Sequence, residues 1–186
     1  MRENLTPSQI EKCVLKAQKG DERSFALLFD SFYDKISRYV HFRVASEDVE
    51  DLVSDVFLKV VEKLNTYKTN PKASFQSWIF RIAHNRVIDF YRQKKELLGK
   101  QDDDGNDFFL QIPDDNLRPD QQANLNLDIK KLYKVLKQLP NIQREILEFK
   151  YLEGFSNAEI AQITGKAEGN IRVIQLRALR EIRKKW

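Results

Sequence analysis

The stretch SNAEIAQITGKAEGNIRVIQLRALREI, residues 156–182, fits two short helices joined by a tight turn and little else. Ser156 with Glu159 three residues later is a capping-box pattern, in which each side chain satisfies an orphan backbone amide of a helix start. A helix therefore begins at Ser156. It carries Ile160, Ala161 and Ile163 at one-turn spacing and stops at Gly165, because glycine tolerates the left-handed conformation that closes helices. Lys166 and Ala167 make the turn. The spacing predicts a second helix from near Glu168 that buries Ile171, Ile174, Ala178 and Ile182 and leaves Asn170, Arg172, Gln175, Arg177 and Arg180 polar.

A small residue at the crossing (Ala161), glycine at the corner and aliphatics locking the second helix are what two closely crossing helices require. From Lys166 onward there are seven Lys or Arg and two acids. Two readings fit: a helix-turn-helix whose second helix enters a DNA major groove, or a helical hairpin with a solvated basic face. The coincidence of the compact corner with a basic ending that matches phosphate favours DNA.

The rest of the composition is consistent with an all-helical chain. Only 6 of the 186 residues are glycine, and apolar residues recur mostly at helical spacing. Cys13 is the single cysteine, so no intramolecular disulfide forms and a reducing cytoplasm suits the chain. Nothing approaches the ~20 apolar residues that span a bilayer, so no membrane insertion is expected. The net charge of +4 divides into +3 over residues 1–94, −5 over 95–127 and +6 over 128–186. Two basic blocks flank an acidic connector, a pattern that directs both ends toward a polyanion and keeps the middle away from it or lets it imitate one.

In chain order, Thr6, Pro7 and Gln9 make a helix start, and that helix ends at Gly20. Asp21 caps a second helix with an aromatic stripe of Phe25, Leu28, Phe29, Phe32, Ile36, Tyr39 and Val40, which reads as core. Ser46 opens a third, SEDVEDLVSDVFLKVVEKL. Its buried stripe is Leu52, Val53, Val56, Val60 and Leu64, whereas Glu47, Asp48, Glu50, Asp51 and Asp55 crowd its start. Acids at Glu47 and Asp48 suit the helix dipole; Asp51 and Asp55 gain less and repel each other at four-residue spacing. The cluster is either a solvated helix start or a protein-docking face.

Residues 65–73, with Asn70 and Pro71, read as a loop. Ser74 caps SFQSWIFRIAHNRVIDFYRQKK, where Phe75, Trp78, Ile79, Ile82, Val87, Phe90 and Tyr91 interleave with Arg81, Asn85, Arg86, Arg92, Lys94 and Lys95. Rings beside cations offer stacking for unpaired bases and charge for their backbone, although Ile79, Ile82 and Phe90 read as core. Residues 96–126 lose the pattern and form an acidic, flexible linker. A helix near 128–137 then leads into NIQREILEFKYLEG, which ends at Gly154.

With these stretches in view, the chain resembles the bacterial sigma-70 family, specifically its two-domain extracytoplasmic-function subgroup, over nearly the whole length. DVEDLVSDVFLKV, residues 48–60, is similar to the helix that docks on the clamp of RNA polymerase. That resemblance implies core polymerase binding by Asp48, Asp51 and Asp55 with nearby Leu52 and Val56. FQSWIFRIAHNRVIDFYR, residues 75–92, is similar to the segment that melts and reads the downstream promoter element. Trp78, Arg81, Asn85 and Arg86 are expected nearest the strand, with Arg92 beside them. Residues 139–183 resemble the domain that reads the upstream element and touches the polymerase flap. Where the family often begins its recognition helix Pro-x-Gly-Thr-Val-Lys-Ser-Arg, this chain has Glu168, Gly169, Asn170, Ile171, Arg172, Val173 and Ile174. By position, Glu168, Asn170, Arg172, Val173 and Arg177 are the base-contact candidates, arginine suiting guanine and valine a thymine methyl.

The expectation is thus an all-α chain with two small helical domains, residues 1–95 and 127–186, joined by the linker 96–126. Its partners would be core RNA polymerase through clamp and flap, promoter DNA in double- and single-stranded form, and an anti-sigma factor. Neither a catalytic set nor a cofactor or metal is expected: His41 and His84 lie in different elements, and no phosphate-binding glycine loop occurs. A stand-alone helix-turn-helix regulator also accounts for residues 156–182, but not for the acidic helix. A helical interaction protein or small enzyme is the remaining class.

Overall fold

Helix start and stop signals decide where this chain turns, and most of them act where the sequence puts them. The computed structural model describes residues 5–97, 135–136 and 138–185. The chain divides into two units, Met1–Lys100 and Gln101–Trp186. The first holds α1 (Pro7–Ala17), α2 (Glu22–His41), α3 (Val49–Lys63) and α4 (Phe75–Leu97); the second holds α5 (Asn141–Tyr151), α6 (Asn157–Thr164) and α7 (Glu168–Lys185). Among the described residues, β pairing is confined to an isolated bridge between Asn70 and Ala73.

Thr6 caps α1 reciprocally: its hydroxyl accepts from the Gln9 amide, and the Gln9 side chain accepts from the Thr6 amide at 2.8 Å. The Asp21 carboxylate accepts from the Ser24 amide at 3.2 Å and from the Ser24 hydroxyl. The hydroxyl bond is the main reason the Asp21 carboxyl sits below its ordinary pKa. Ser46 behaves differently from expectation. It lies inside a 3-10 turn, Ser46–Asp48, that precedes α3 and is entered from Ala45 without a side-chain cap. Ser74 does cap α4, accepting from the Ser77 amide at 3.2 Å.

The core of the first unit is made by one face each of α2, α3 and α4. Leu28, Phe32, Ile36 and Val40 meet Leu52, Val53, Val56 and Val60, and both sets meet Phe75, Ile79, Phe80, Ala83 and Val87, all buried. Ring pairs Phe32–Phe75 and Tyr39–Phe80, at 5.8 and 5.5 Å in edge-on geometry, join α2 to α4. Among the described residues Arg86 Nε and Asp48 Oδ2 are buried without a hydrogen bond, whereas other polar groups in this core find partners. Arg43 is buried, donates to the Tyr39 carbonyl at 2.9 Å and lies 3.7 Å from the centre of the Tyr39 ring. Tyr91 donates its hydroxyl to the Arg43 carbonyl. Burial, with the Asp48 charge adding and Arg43 opposing, pushes the Tyr91 phenol up to about 12.

In the second unit Ile146, Phe149, Phe155, Ile160, Ile163, Ile171 and Ala178 are buried. The Ser156 capping box forms: the Ser156 hydroxyl accepts from the Glu159 amide at 3.2 Å, and Glu159 Oε2 accepts from the Ser156 amide at 2.9 Å. Gly165 ends α6 at φ +69°, a left-handed conformation that a side chain would strain. Of the four residues expected to bury along α7, Ile171 and Ala178 are fully buried, while Ile174 and Ile182 are half-buried. Glu96 and Leu97 belong to α4. The remainder of the expected linker, and all but two residues of the helix expected over 128–137, lie outside the described residues.

Loss of the cap and loss of core volume should separate by size. Ile160→Ala should destabilise the second unit by about 2–5 kcal/mol and Ser156→Ala by about 1 kcal/mol. Hydrogen exchange at the amides of α6 and α7 in the full chain reads both, and a cap effect as large as the core effect would contradict this account.

Candidate nucleic-acid and partner-binding surfaces

A helix that buries one stripe must present the residues between to solvent, and α3 does so with acids. Asp51 is exposed, and no hydrogen bond or ion pair engages its side chain among the described residues. Asp48 is half-buried, with Oδ2 3.7 Å from Lys94 Nζ of α4. Asp55 accepts from Arg86 Nη2 at 2.5 Å. The three acids therefore differ: one is free and two are tied to α4. Leu52 and Val56, expected beside them on the docking face, are 4% and 0% exposed. That expectation needs correcting, because both point into the core and hold the helix in place.

The apolar residues that do share the acidic face are Leu58 and Val61, 57% and 52% exposed. Leu58 lies two turns after Asp51 and one after Asp55 on the same ridge. Sequence reasoning did not single out either: each falls outside the Leu52, Val53, Val56, Val60 and Leu64 stripe, but so does Phe57, which is buried against Phe29.

On α4 the expected strand-facing residues separate into two groups. Trp78, Arg81, Asn85 and Arg92 recur at helical spacing and form one ridge. Arg81 and Asn85 are exposed, with side chains not engaged among the described residues. Trp78 is half-buried, stacked on Phe75 at 5.3 Å and edge-on to Tyr67 at 5.4 Å. Arg92 is exposed and reaches Asp89 at 3.0 Å. Arg86 points elsewhere: besides Asp55 it lies 3.8 Å from Asp89, so it braces α4 against α3.

On α7, Asn170, Arg172, Val173 and Arg177 are exposed, and Glu168 is half-buried. Arg172 pairs with Glu168 at 2.5 Å one turn earlier, on a surface where such pairs contribute little. The capping turn and the Gly165 corner set the direction of α7. Gln175 Nε2, donating to Asn157 Oδ1 at 3.1 Å, pins it to α6. Leu176 and Leu179 are also exposed, beside Val173. They too lie off the buried stripe and were not among the expected site residues.

Exposed charge and apolar groups on these faces suit binding. Among the described residues no group of three or more His, Cys, Asp and Glu side chains is disposed to hold a metal. No helix among them is long and apolar enough to cross a membrane.

The sequence carries two family matches: residues 28–96 match Sigma-70 region 2 and residues 129–182 match Sigma-70, region 4. The chain is 31% identical to the ECF RNA polymerase sigma factor ShbA of Streptomyces griseus, with 98% of this chain and 97% of the relative covered. It is 28% identical to the ECF RNA polymerase sigma factor BldN of Streptomyces coelicolor over 94% of its own length, and spans 65% of that relative. Among solved structures it is similar to the sigma factor RpoE of Bartonella quintana, crystallised with the anti-sigma factor NepR. There the TM-score is 0.68 at 22% identity, with 88% of this chain and 96% of that one covered.

The brace between α3 and α4 is directly measurable. A double-mutant cycle with Asp55→Ala and Arg86→Ala, followed by urea unfolding, should return a coupling of about 0.5–1.5 kcal/mol, modest because both groups keep part of their solvent. A coupling near zero would remove the brace.

Proposed function

The chain belongs to the sigma-70 family, among its extracytoplasmic-function members, and from that premise we propose how its two units divide the work. As a sigma factor it directs core RNA polymerase to specific promoters and initiates transcription there. The single observation that carries the division is the segregation of free charge. Among the described residues Asp51 stands unengaged on α3 beside exposed Leu58 and Val61, while Arg81 of α4 and Arg177 of α7 stand unengaged on helices that carry no comparable acidic ridge. Carboxylates repel DNA and suit a basic protein groove; cations do the reverse.

In this reading α3 docks on the polymerase clamp. Asp51 makes the charge contact, Leu58 and Val61 supply the apolar contact, and Asp48 and Asp55 sit at the rim, drawn partly toward α4. Asp55 and Arg86 keep α3 and α4 in fixed register, so a helix gripping the polymerase also aims the helix that meets DNA. Trp78, Arg81, Asn85 and Arg92 face the non-template strand of the downstream element. A base leaving the stack there forfeits a few kcal/mol, and stacking on an aromatic ring returns ~1–3 kcal/mol.

The second unit reads the upstream element as duplex. α7 enters the major groove, with Arg172 and Arg177 as donors to guanine or phosphate, Asn170 suited to adenine and Val173 to a thymine methyl. Glu168 orients Arg172 until DNA replaces it. The same unit meets the polymerase flap. The protein supplies no catalytic residue, acts in the cytoplasm without cofactor or metal, and is held in check by an anti-sigma factor, as the solved relative crystallised with one suggests for this chain.

Promoter-dependent run-off transcription with purified core polymerase tests the whole. Tight binding to free duplex with no promoter-dependent product would replace this reading with a stand-alone helix-turn-helix regulator. Asp51→Lys should weaken core binding at least about tenfold with the helical signal unchanged, and retained binding would remove α3 from the interface. Arg172→Ala should cost about 1–3 kcal/mol at the upstream element and relax preference at one base pair; an equal loss on all sequences would make it a phosphate contact.

A further inference from the structure

The loop between α3 and α4 is held from outside by α1. Glu11 of α1 accepts from the Tyr67 hydroxyl at 2.8 Å through Oε1 and from the Thr69 hydroxyl at 2.9 Å through Oε2. At the C-cap of that helix, Gln18 Nε2 donates to the carbonyls of Leu64 and Tyr67, both at 2.9 Å. Two side chains of one helix therefore fix the chain at three residues of a segment more than forty positions away. Among the described residues, the other hydrogen bonds of residues 68–73 are local, from the Lys72 amide to Asn70 Oδ1 and from the Ala73 amide to the Asn70 carbonyl. Without Glu11 and Gln18 the side-chain and backbone hydrogen bonds of residues 68–73 would all be local.

The contact continues into the ridge of α4. The buried Tyr67 ring meets Phe75 at 5.0 Å and Trp78 at 5.4 Å, both edge-on, while Phe75 and Trp78 stack on each other. A shift of Tyr67 therefore moves the ring that shares a ridge of α4 with Arg81 and Asn85. Burial first, then the Glu11 bond and charge, hold the Tyr67 phenol well above its ordinary pKa, so the hydroxyl remains a donor to Glu11 across the working range. Lys68, Asn70 and Lys72 are exposed on the loop. Two cations and an amide with free N–H groups offer contacts to a strand's phosphates and base edges.

We propose that Glu11 and Gln18 are positioning residues for the downstream promoter element: by clasping residues 64–69 they set where the loop and Trp78 receive an unstacked base. The proposal rests on the assignment of α4 to the melted strand made above. It adds a determinant from α1, which precedes the segment matching region 2. Glu11 and Gln18 touch no nucleic acid themselves; they act through Tyr67 and Thr69.

The test uses the full chain on core polymerase and a pool of promoter templates randomised across the downstream element, each prepared as duplex and as a version already unpaired through that element. Sequencing of the transcribed templates gives base preference at every position, and core affinity is measured in parallel. Glu11→Ala should flatten preference at one or two positions by about fivefold to tenfold, the equivalent of a hydrogen bond or so, on unpaired templates as well as duplex. Core affinity should stay within about twofold, as expected for a group remote from the docking ridge. Glu11→Gln should recover part of the preference, since its amide oxygen still accepts from one hydroxyl. Preference equal to wild type in Glu11→Ala, with core binding intact, would overturn the clasp as a specificity device while leaving the α4 assignment standing. A wild-type chain with no preference on either template would overturn the α4 assignment and the clasp with it. Should Glu11→Ala fail to fold, Tyr67→Phe combined with Thr69→Val removes the same two donors and leaves α1 whole; retained preference there overturns the proposal equally.

Discussion

Everything in the first unit depends on the burial of one face of α4. Phe75, Ile79, Phe80, Ala83 and Val87 are inaccessible against α2 and α3, and each large apolar side chain so buried stabilises the fold by ~1.5–3 kcal/mol relative to exposure. A helix has no further freedom once that face is set. At 3.6 residues per turn, Trp78, Arg81, Asn85 and Arg92 must then lie together on another side. Their alignment follows from the core and requires no contact of their own, which leaves Arg81 and Asn85 unengaged among the described residues and able to bind something else.

The charges on α3 follow a second logic, of small gains weighed against larger ones. An exposed ion pair contributes about 0–1 kcal/mol, so leaving Asp51 solvated costs the folded chain almost nothing. Binding Asp55 to Arg86 gains little more in stability, yet it adds a directional tie between α3 and α4 to the one their buried faces make. A docking helix needs at least one carboxylate whose charge is not already neutralised, because complementarity across an interface steers encounter and rejects wrong partners. The acidic start of α3 holds both kinds of group within two turns. A purely structural cluster would have no reason to keep Asp51, Leu58 and Val61 together on its open face.

Much of the fold was legible because its signals are local. Thr6 with Gln9, Asp21, Ser74, Ser156 with Glu159, and Gly165 all act on backbone within a few residues, and the structure shows each in that role. Ser46 misled because a serine ahead of an acidic run looks like a cap, whereas the backbone there tightens into a 3-10 turn that satisfies its own amides through the Ala45 carbonyl, bonded to the Asp48 amide at 2.9 Å. The charge of the proposed binding surfaces was legible in the sequence, but the placement of single residues on them was not. Leu52 and Val56 fall beside the acids in sequence yet a third of a turn away in space, and Leu58 and Val61 occupy the place assigned to them. Arg86 carried the same charge signal as Arg81, and only its distance to Asp55 separates a brace from a free cation. The clasp by Glu11 and Gln18 had no sequence signal at all, since a contact spanning some fifty residues leaves no periodicity.

The second unit solves a different problem, that of holding a helix firmly while hiding little of it. α7 runs for 18 residues, yet Ile171 and Ala178 are its fully buried positions among the described residues. Two anchors two turns apart determine an axis. What remains undetermined is rotation and slide along it, and these are restrained at the N-terminal end by the Gly165 corner and at mid-helix by the bond from Gln175 to Asn157. Ala178 is small enough for the helices to approach closely, so its burial anchors position more than it adds hydrophobic stabilisation. The result is a wide open arc on which Arg172, Val173, Leu176, Arg177, Leu179 and Arg180 stand together. An arc of that mixed character would be a poor surface to leave permanently in water, where apolar groups gain nothing. It suits the floor of a major groove, in which thymine methyls and guanine edges lie side by side between two rows of phosphate.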